Sequence, residues 1–329
     1  MIATITARNV PQAYVEGLWT IQAYAKEEVS RNGPVLTVQS PVMLEIREPT
    51  ERVLFHPVRD ANPFFHVMEF VWMMAGSNDA EWISQFNKQM MEYADDGYLR
   101  GAYGWRWKQG NQIARAIRLL RDDPFTRQCV LQMWDQLYDG PNARTSDRPC
   151  NTHIYFRIVD GKLDMTVCNR SNDFFWGMLG SNVVHFTMLH ELVALSVGVP
   201  IGVYRVFTNN LHVYTDMPGF EEKFKNRVTH DWYKYDEVRT QPLLEKDERW
   251  EDFLADAYQM VDDGFAFGGW NTTWFQDVAY PMYEGYLDKG NRDYWIKSIG
   301  APDWYRACSE WNTRRARRSI IKGDNKKEQ

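Results

Sequence analysis

Val10, Tyr14, Leu18, Ile21 and Ala25 recur at helical spacing near the start of the chain, and Ser30-Arg31-Asn32-Gly33-Pro34 then interrupts the pattern with turn residues. A helix followed by a loop carrying Arg31 is predicted. Val42, Leu44 and Ile46 alternate with other residues, and Val53-Leu54-Phe55 follows a charged turn, so both stretches read as strands. Two helices come next, one from about 63 to 75 with Pro63 near its start and Gly76 after its end, the other from Asp79 to about Tyr93. Residues 110–123 form an amphipathic helix with Ile113, Ile117 and Leu120 on one face.

The pattern then turns to β character. Residues 128–135, 152–159 and 162–169 are rich in β-branched and aromatic side chains, and Asp160-Gly161 between the last two marks a hairpin. From 182 to 197 the chain is apolar nearly all round, as in a helix buried at the centre of a molecule, and 203–207 reads as a strand. Beyond Pro218 the chain is polar and rich in Trp and Tyr, with helices predicted at 250–262 and 302–318 before a charged tail. No internal repeat or composition break marks a linker. The prediction is one α+β domain over 1–329, with 219–329 a C-terminal elaboration.

Composition narrows the function classes. The 329 residues are 44% hydrophobic and 25% charged with net charge -6, so the chain has a substantial core and no basic excess of the kind that binds long nucleic acid. An anionic ligand must be held locally. Cys129, Cys150, Cys168 and Cys308 lie far apart without a C-x-x-C pair, and the first residues show neither a basic nor an apolar leader region, which favours free thiols in a cytoplasm, a host's if the source is viral. No apolar run reaches the roughly 18 residues that span a bilayer.

Cys150 carries the first candidate chemistry. It lies in a polar, basic stretch at a strand start, with Arg144 and Arg148 near enough in sequence to favour its thiolate. A lone cysteine is more often an inert thiol; Cys129 and Cys168 sit in apolar strands and keep that reading. Arg170, Ser171 and Asp173 follow a strand directly, where a guanidinium and a hydroxyl can share a phosphate. His212 and Tyr214 alternate and so share a face of an extended segment, placed to grip a ribose hydroxyl. His185 and His190 lie five apart on the apolar helix, the wrong spacing for two metal ligands, and read as core or supporting residues; the run 314–318 reads as solvated surface. No glycine-rich phosphate loop supports a nicotinamide or ATP reading.

Taken in order, PCN at 149–151, NRSNDFFWG at 169–177, Asn182 and LHVY at 211–214 resemble the signature segments of thymidylate synthases and related pyrimidine hydroxymethylases. Residues 66–76, 102–107 and 123–135 are similar to three further family segments, and the match covers about 30–215. The resemblance implies a large α+β domain with mostly antiparallel mixed sheet, a buried central helix, and a homodimer. It implies that Cys150 adds to C6 of a pyrimidine nucleoside monophosphate, with Glu69 managing protons and Tyr103 supporting loss of the C5 proton. Arg31, Arg170 and Ser171 would hold the 5′-phosphate, with Arg127 reaching in from the other subunit. His212 and Tyr214 would bind the sugar, Asn182 the base, and Asp173 the pterin of 5,10-methylenetetrahydrofolate as co-substrate. No metal is implied.

Two departures bear on the product. Where methyl-forming members shield the reacting carbon with a tryptophan, an ungapped count from Gly76 gives Met91, and the tail ends in a charged run in place of a short apolar seal. Both favour water addition and a hydroxymethyl product over dTMP. The family's histidine after the cysteine is Asn151, and the second of its paired arginines is Gln128. Asn182 favours dUMP, yet an amide can also pair with cytosine, so dCMP and CMP stay open. A silent family member that binds RNA or a protein is the non-enzymatic alternative, opposed by retention of Cys150 and Glu69. The biological setting, modified viral DNA or nucleoside-antibiotic synthesis, stays open.

Overall fold

A computed structural model describes residues 2–325 apart from 142–144, 146, 228–229, 236–237 and 263–268, with side chains described through residue 318. Arg144, expected beside Cys150, lies outside the described residues. The first half comprises β1 (Ala3–Ala7), α1 (Val10–Tyr24), β2 (Ala25–Ser30), β3 (Gly33–Val38), β4 (Val42–Ile46), α2 (Pro63–Met74), α3 (Ala80–Ser84), a 3-10 turn (Lys88–Tyr93), α4 (Tyr103–Lys108), α5 (Gln112–Asp122), β5 (Val130–Gln132) and α6 (Gln136–Asp139). There follow β6 (Asn151–Val159), β7 (Lys162–Asn169), β8 (Asn172–Asp173), a π-helical segment (Phe174–Ser181), α7 (Asn182–Val197), β9 (Ile201–Thr208) and β10 (Leu211–Tyr214). The C-terminal part is helical: α8 (Phe220–Lys225), α9 (Trp232–Tyr235), α10 (Trp250–Asp262), a second π-helical segment (Phe275–Ala279), α11 (Tyr280–Leu287), α12 (Arg292–Lys297) and α13 (Pro302–Asn325).

The strands form two sheets. The larger runs β1-β4-β9-β7-β6-β5 and the smaller β2-β3-β10-β8. Parallel pairs occur at β1/β4, β7/β9 and β8/β10; the other five are antiparallel, as expected of a mostly antiparallel mixed sheet. The β6–β7 hairpin turns at Asp160 (φ 49°) and Gly161 (φ 74°), both left-handed, the backbone that an Asp-Gly pair tolerates and that matches strand twist. Helix α7 is the buried centre, with apolar side chains on every face and Gly198 (φ 86°) ending it. Helix α2 packs on it, started by Asn62, whose side chain accepts from the Phe65 N–H, and by Pro63 in the first turn. The apolar core runs continuously from Ile5 to Trp311, so the helices after residue 219 share it.

Some elements differ from expectation. Ala25 opens β2 and does not close α1, and Arg31 sits at the tip of the β2–β3 hairpin. The helix expected from 79 to 93 breaks at Asn87, whose extended backbone and side-chain bond to the Gln89 N–H start a separate turn. Val53-Leu54-Phe55 joins no sheet, because Val53 spends its N–H on the Tyr233 hydroxyl (3.1 Å) and the C-terminal part covers it. The arginine run is only partly solvated surface: residues 316–318 are exposed, but Arg314, Arg315 and Arg318 all donate to Asp60, at 3.0, 2.7 and 2.7 Å. Burial raises the Asp60 carboxyl, but the three guanidiniums outweigh it and hold the group below its ordinary value. No described helix is long and apolar enough to cross a membrane.

Candidate active site

Cys150 stands just before β6, at the wall between two cavities. The larger, of about 600 Å³, has a cationic side made by Arg31, Arg148 and Arg170 and a second side made by Ser171, His212 and Tyr214. Sheet register explains the convergence. β10 pairs with β3 and β8, setting His212 beside Thr37 and Asp173, while Leu211 and Val213 point into the core. The hairpin tip brings Arg31 to the same cavity. Tyr214 accepts from the Asn32 amide (3.4 Å), and His212 Nδ1 lies 2.8 Å from Asn210 Oδ1.

Arg170 braces the cysteine loop from the end of β7. Its Nε donates to the Pro149 carbonyl and its Nη2 to the Arg148 carbonyl, both at 2.9 Å, and Nη2 lies 3.8 Å from Cys150 Sγ. Burial pushes the thiol above its ordinary value; Arg170 and Arg31 pull it back, and Asp147 opposes them. By contrast, Cys129 and Cys308 are buried. Cys168 lies in β7 and lines neither cavity.

The second cavity, of about 170 Å³, holds Glu69, Tyr103 and Asn182 on the other side of Cys150. α2 supplies Glu69, α4 Tyr103, and the first turn of α7 Asn182. Gly104 lets α4 approach this close, because a Cβ there would collide with the Met73 carbonyl of α2. Burial pushes Glu69 up to about 8, with a Ser181 hydrogen bond holding it back. Burial and the nearby Cys150 raise Tyr103, while its hydrogen bond with Asn151 lowers it. Asn151 Nδ2 donates to the Tyr103 hydroxyl oxygen (2.7 Å), Asn169 donates to Asn151 Oδ1, and Asn172 donates to Asn169 Oδ1 (3.1 Å). This amide chain fills the place where the family pattern has histidine; sequence spacing does not reveal it, since its members come from β6, β7 and β8.

Asp173 lines the larger cavity but also caps the π-helical segment, accepting from the Trp176 N–H at 2.5 Å. Burial pushes its carboxyl up to about 6, and its Oδ2 has no hydrogen-bond partner among the described residues. Two expected residues lie elsewhere. Met91, the position that the ungapped count from Gly76 gives, is 45% exposed and lines neither cavity, whereas its neighbour Met90 lines the cavity of Glu69 and Tyr103. Arg127 is exposed before β5 and lines neither cavity of its own chain.

Residues 54–263 match the family model described as thymidylate synthase. The chain belongs to the thymidylate synthase family. It is 38% identical over 334 residues to the deoxyuridylate hydroxymethyltransferase of Pseudomonas phage M6, covering 94% of each protein. Proteins of the same name from Bacillus phage SP01 and Delftia phage PhiW-14 are 36% and 32% identical. Those alignments cover 65% and 64% of this chain and 59% and 62% of the relatives. This member of the thymidylate synthase family is a one-carbon transferase.

Proposed function

We propose that the protein transfers a one-carbon unit to C5 of dUMP and adds water, forming 5-hydroxymethyl-dUMP. One observation carries the reading: Cys150 stands between a cavity suited to a sugar phosphate and one suited to a pyrimidine. In this reading Arg31, Arg148, Arg170 and Ser171 hold the 5′-phosphate, and His212 and Tyr214 hold the sugar. Asn182 pairs with the base edge. Cys150 Sγ bonds to C6, C5 becomes the carbon nucleophile, Glu69 handles protons through water, and Tyr103 supports removal of the C5 proton. Removal of the C5 proton would release the folate as tetrahydrofolate, water would add to the one-carbon unit left on C5, and expulsion of the thiolate from C6 would then restore the ring.

The residues present also fit 5,10-methylenetetrahydrofolate. A third cavity, of about 470 Å³, lies beyond Ser181 with Trp176 as an aromatic wall suited to a folate ring; Lys223 lines it beside Arg315 and Arg318, whose charges Asp60 already shares. The unpartnered Asp173 Oδ2 suits a pterin N–H donor. When bound, the folate supplies the carbon at the oxidation level of formaldehyde. Where the resemblance counts a shielding tryptophan this chain has Met91, with Met90 beside it in the base cavity, which supports hydroxymethyl over methyl; the flat rings that line that cavity, Trp72 and Tyr93, come from other positions. Arg127 completes the phosphate site of a second subunit in a homodimer, consistent with its exposure. Residues 219–329 elaborate the same domain in a soluble, cytoplasmic enzyme.

The test is incubation with methylenetetrahydrofolate and each of dUMP, dCMP, UMP and CMP, with product masses read. A hydroxymethyl gain on dUMP is expected and should vanish in Cys150→Ser. A methyl gain accompanied by dihydrofolate overturns the product, and preference for a cytosine nucleotide overturns the base.

A further inference from the structure

Helices α2 and α7 meet at three side chains that the reaction scheme does not fully use: His66 and Glu69 from α2 and His185 from α7. His66 and Glu69 are three residues apart and so lie on one face of their helix. His185 is 1% exposed, and its Nε2 lies 3.2 Å from Glu69 Oε2. Neither atom makes a hydrogen bond among the described residues, so two unsatisfied buried atoms face each other across that contact. The ring also makes a hydrogen bond to the His66 backbone carbonyl, which falls to Nδ1 because Nε2 has no such partner.

We propose that His185 is a positioning residue that keeps a proton on Glu69 Oε2, accepting it through Nε2 while Nδ1–H is committed to the His66 carbonyl. A neutral imidazole has one N–H, and here the carbonyl takes it. A lone pair on Nε2 and a lone pair on Oε2 at 3.2 Å would repel and leave both buried atoms unsatisfied, and a proton placed between them relieves both costs. The ring is a poor owner of that proton, since burial pushes His185 down to about 3. Burial pushes Glu69 the other way. The remaining groups around the pair do not reverse this. His66 on α2 is held neutral by burial and by His185 and Arg59, while Tyr103 on α4 and Cys150 before β6 supply no cation. Among the described residues no lysine or arginine forms an ion pair with Glu69. Ser181 is left to bond the other carboxyl oxygen. The base cavity is thus presented with a carboxylic acid at neutral pH, ready to donate toward a water or a carbonyl oxygen of the ring.

The inference deepens the proposed role of Glu69 and rests on it for its catalytic consequence, but its structural core is tested without turnover. In ¹⁵N-histidine-labelled full-length protein, with His185 assigned by its disappearance in His185→Gln, the ring should be uncharged with its proton on Nδ1 and Nε2 unprotonated from pH 5 to 7, below the value of about 8 to which burial pushes Glu69. A proton on Nε2 in the uncharged ring, or a ring that becomes charged in that range, overturns the proposal. The second measurement is the pH profile of kcat. A glutamine at 185 offers an N–H to the carboxylate, so the Glu69-dependent limb should move to lower pH by about one unit, a tenfold change in the ionisation constant, with KM within about twofold of wild type. An unmoved limb in a folded His185→Gln enzyme overturns the proposal. If the wild type modifies no nucleotide at all, the functional reading has failed, and the tautomer measurement still decides the arrangement.

Discussion

Replacing Arg170 by methionine keeps an unbranched apolar stem and removes the guanidinium, with its charge, from beside Cys150 Sγ, 3.8 Å away. At about 4 Å a unit charge is worth ~1 kcal/mol in water and ~4 kcal/mol at an effective dielectric constant of 20. Because Arg170 is exposed, the lower figure applies. At 1.36 kcal/mol per pH unit, loss of the guanidinium should raise the thiol by about 0.7 unit. The sign follows from charge: the cation stabilises the thiolate, so its removal favours the neutral thiol. Iodoacetamide alkylation rates, followed against pH and resolved by peptide mass spectrometry, separate Cys150 from Cys129, Cys168 and Cys308. The midpoint for Cys150 should rise in Arg170→Met and rise less in Arg170→Lys, which keeps charge but loses the fork that holds the Pro149 and Arg148 carbonyls. Coincident midpoints for wild type and methionine variant, with the fold intact, would refute the claim that Arg170 tunes the sulfur.

Three other outcomes follow from buried charge. Glu69 is raised to about 8, above an unfolded carboxyl near 4.5, so the unfolded state binds fewer protons between those values and stability is lost as pH rises from 4.5 to 8. Glu69→Gln removes that penalty: its melting temperature should exceed the wild type's by a margin that grows across that window and then levels, and a constant margin would contradict the reasoning. Arg52 and Glu191 form a buried ion pair between the segment before α2 and helix α7, with Glu191 also accepting from the Leu243 N–H (3.2 Å). Glu191→Gln should cost about 3–5 kcal/mol in urea unfolding, because a buried guanidinium loses its counter-charge, and a loss below about 1 kcal/mol would count against it. Asp60→Asn should release Arg314, Arg315 and Arg318 and speed tryptic cleavage within α13; since Asp60 is held low in the fold, the same loosening should appear in the wild type as pH falls through the carboxylate range. Equal cleavage rates in variant and wild type at neutral pH would show that the contact does not anchor the helix.

Local signals account for what was legible in the sequence. Helix α7 declares itself by uninterrupted apolar character, the β6–β7 hairpin by Asp160-Gly161, and α2 by Pro63 at its start. What the sequence hides is partnership. AKEEVS in β2 has no alternating pattern, since this edge strand is mostly exposed and is held only by pairing with β3. Val53-Leu54-Phe55 has strand composition but finds core contacts in place of a ladder. That Met90 and not Met91 lines the cavity is set by the turn that starts at Asn87, which a residue count along the sequence does not reveal.

The same division runs through the site. Arg31, Cys150, Arg170, Ser171, Asp173, His212 and Tyr214 are recognisable one segment at a time and share one cavity, because each lies at an element end that the smaller sheet or the β6–β7 pair brings together. His185 offers no such cue: in sequence it is one polar residue in a buried helix, and only the crossing of α2 and α7 shows that it faces Glu69. A residue that meets a ligand at an element end is thus easier to read than one that acts through another side chain. The consequence is specific to this fold. The nucleophile and phosphate ligands depend on strand register, which the two hairpins set locally, whereas the protonation of Glu69 depends on how two helices from distant parts of the chain are pressed together. Substitutions in the α2–α7 contact should therefore disturb acid–base behaviour before they disturb nucleotide binding.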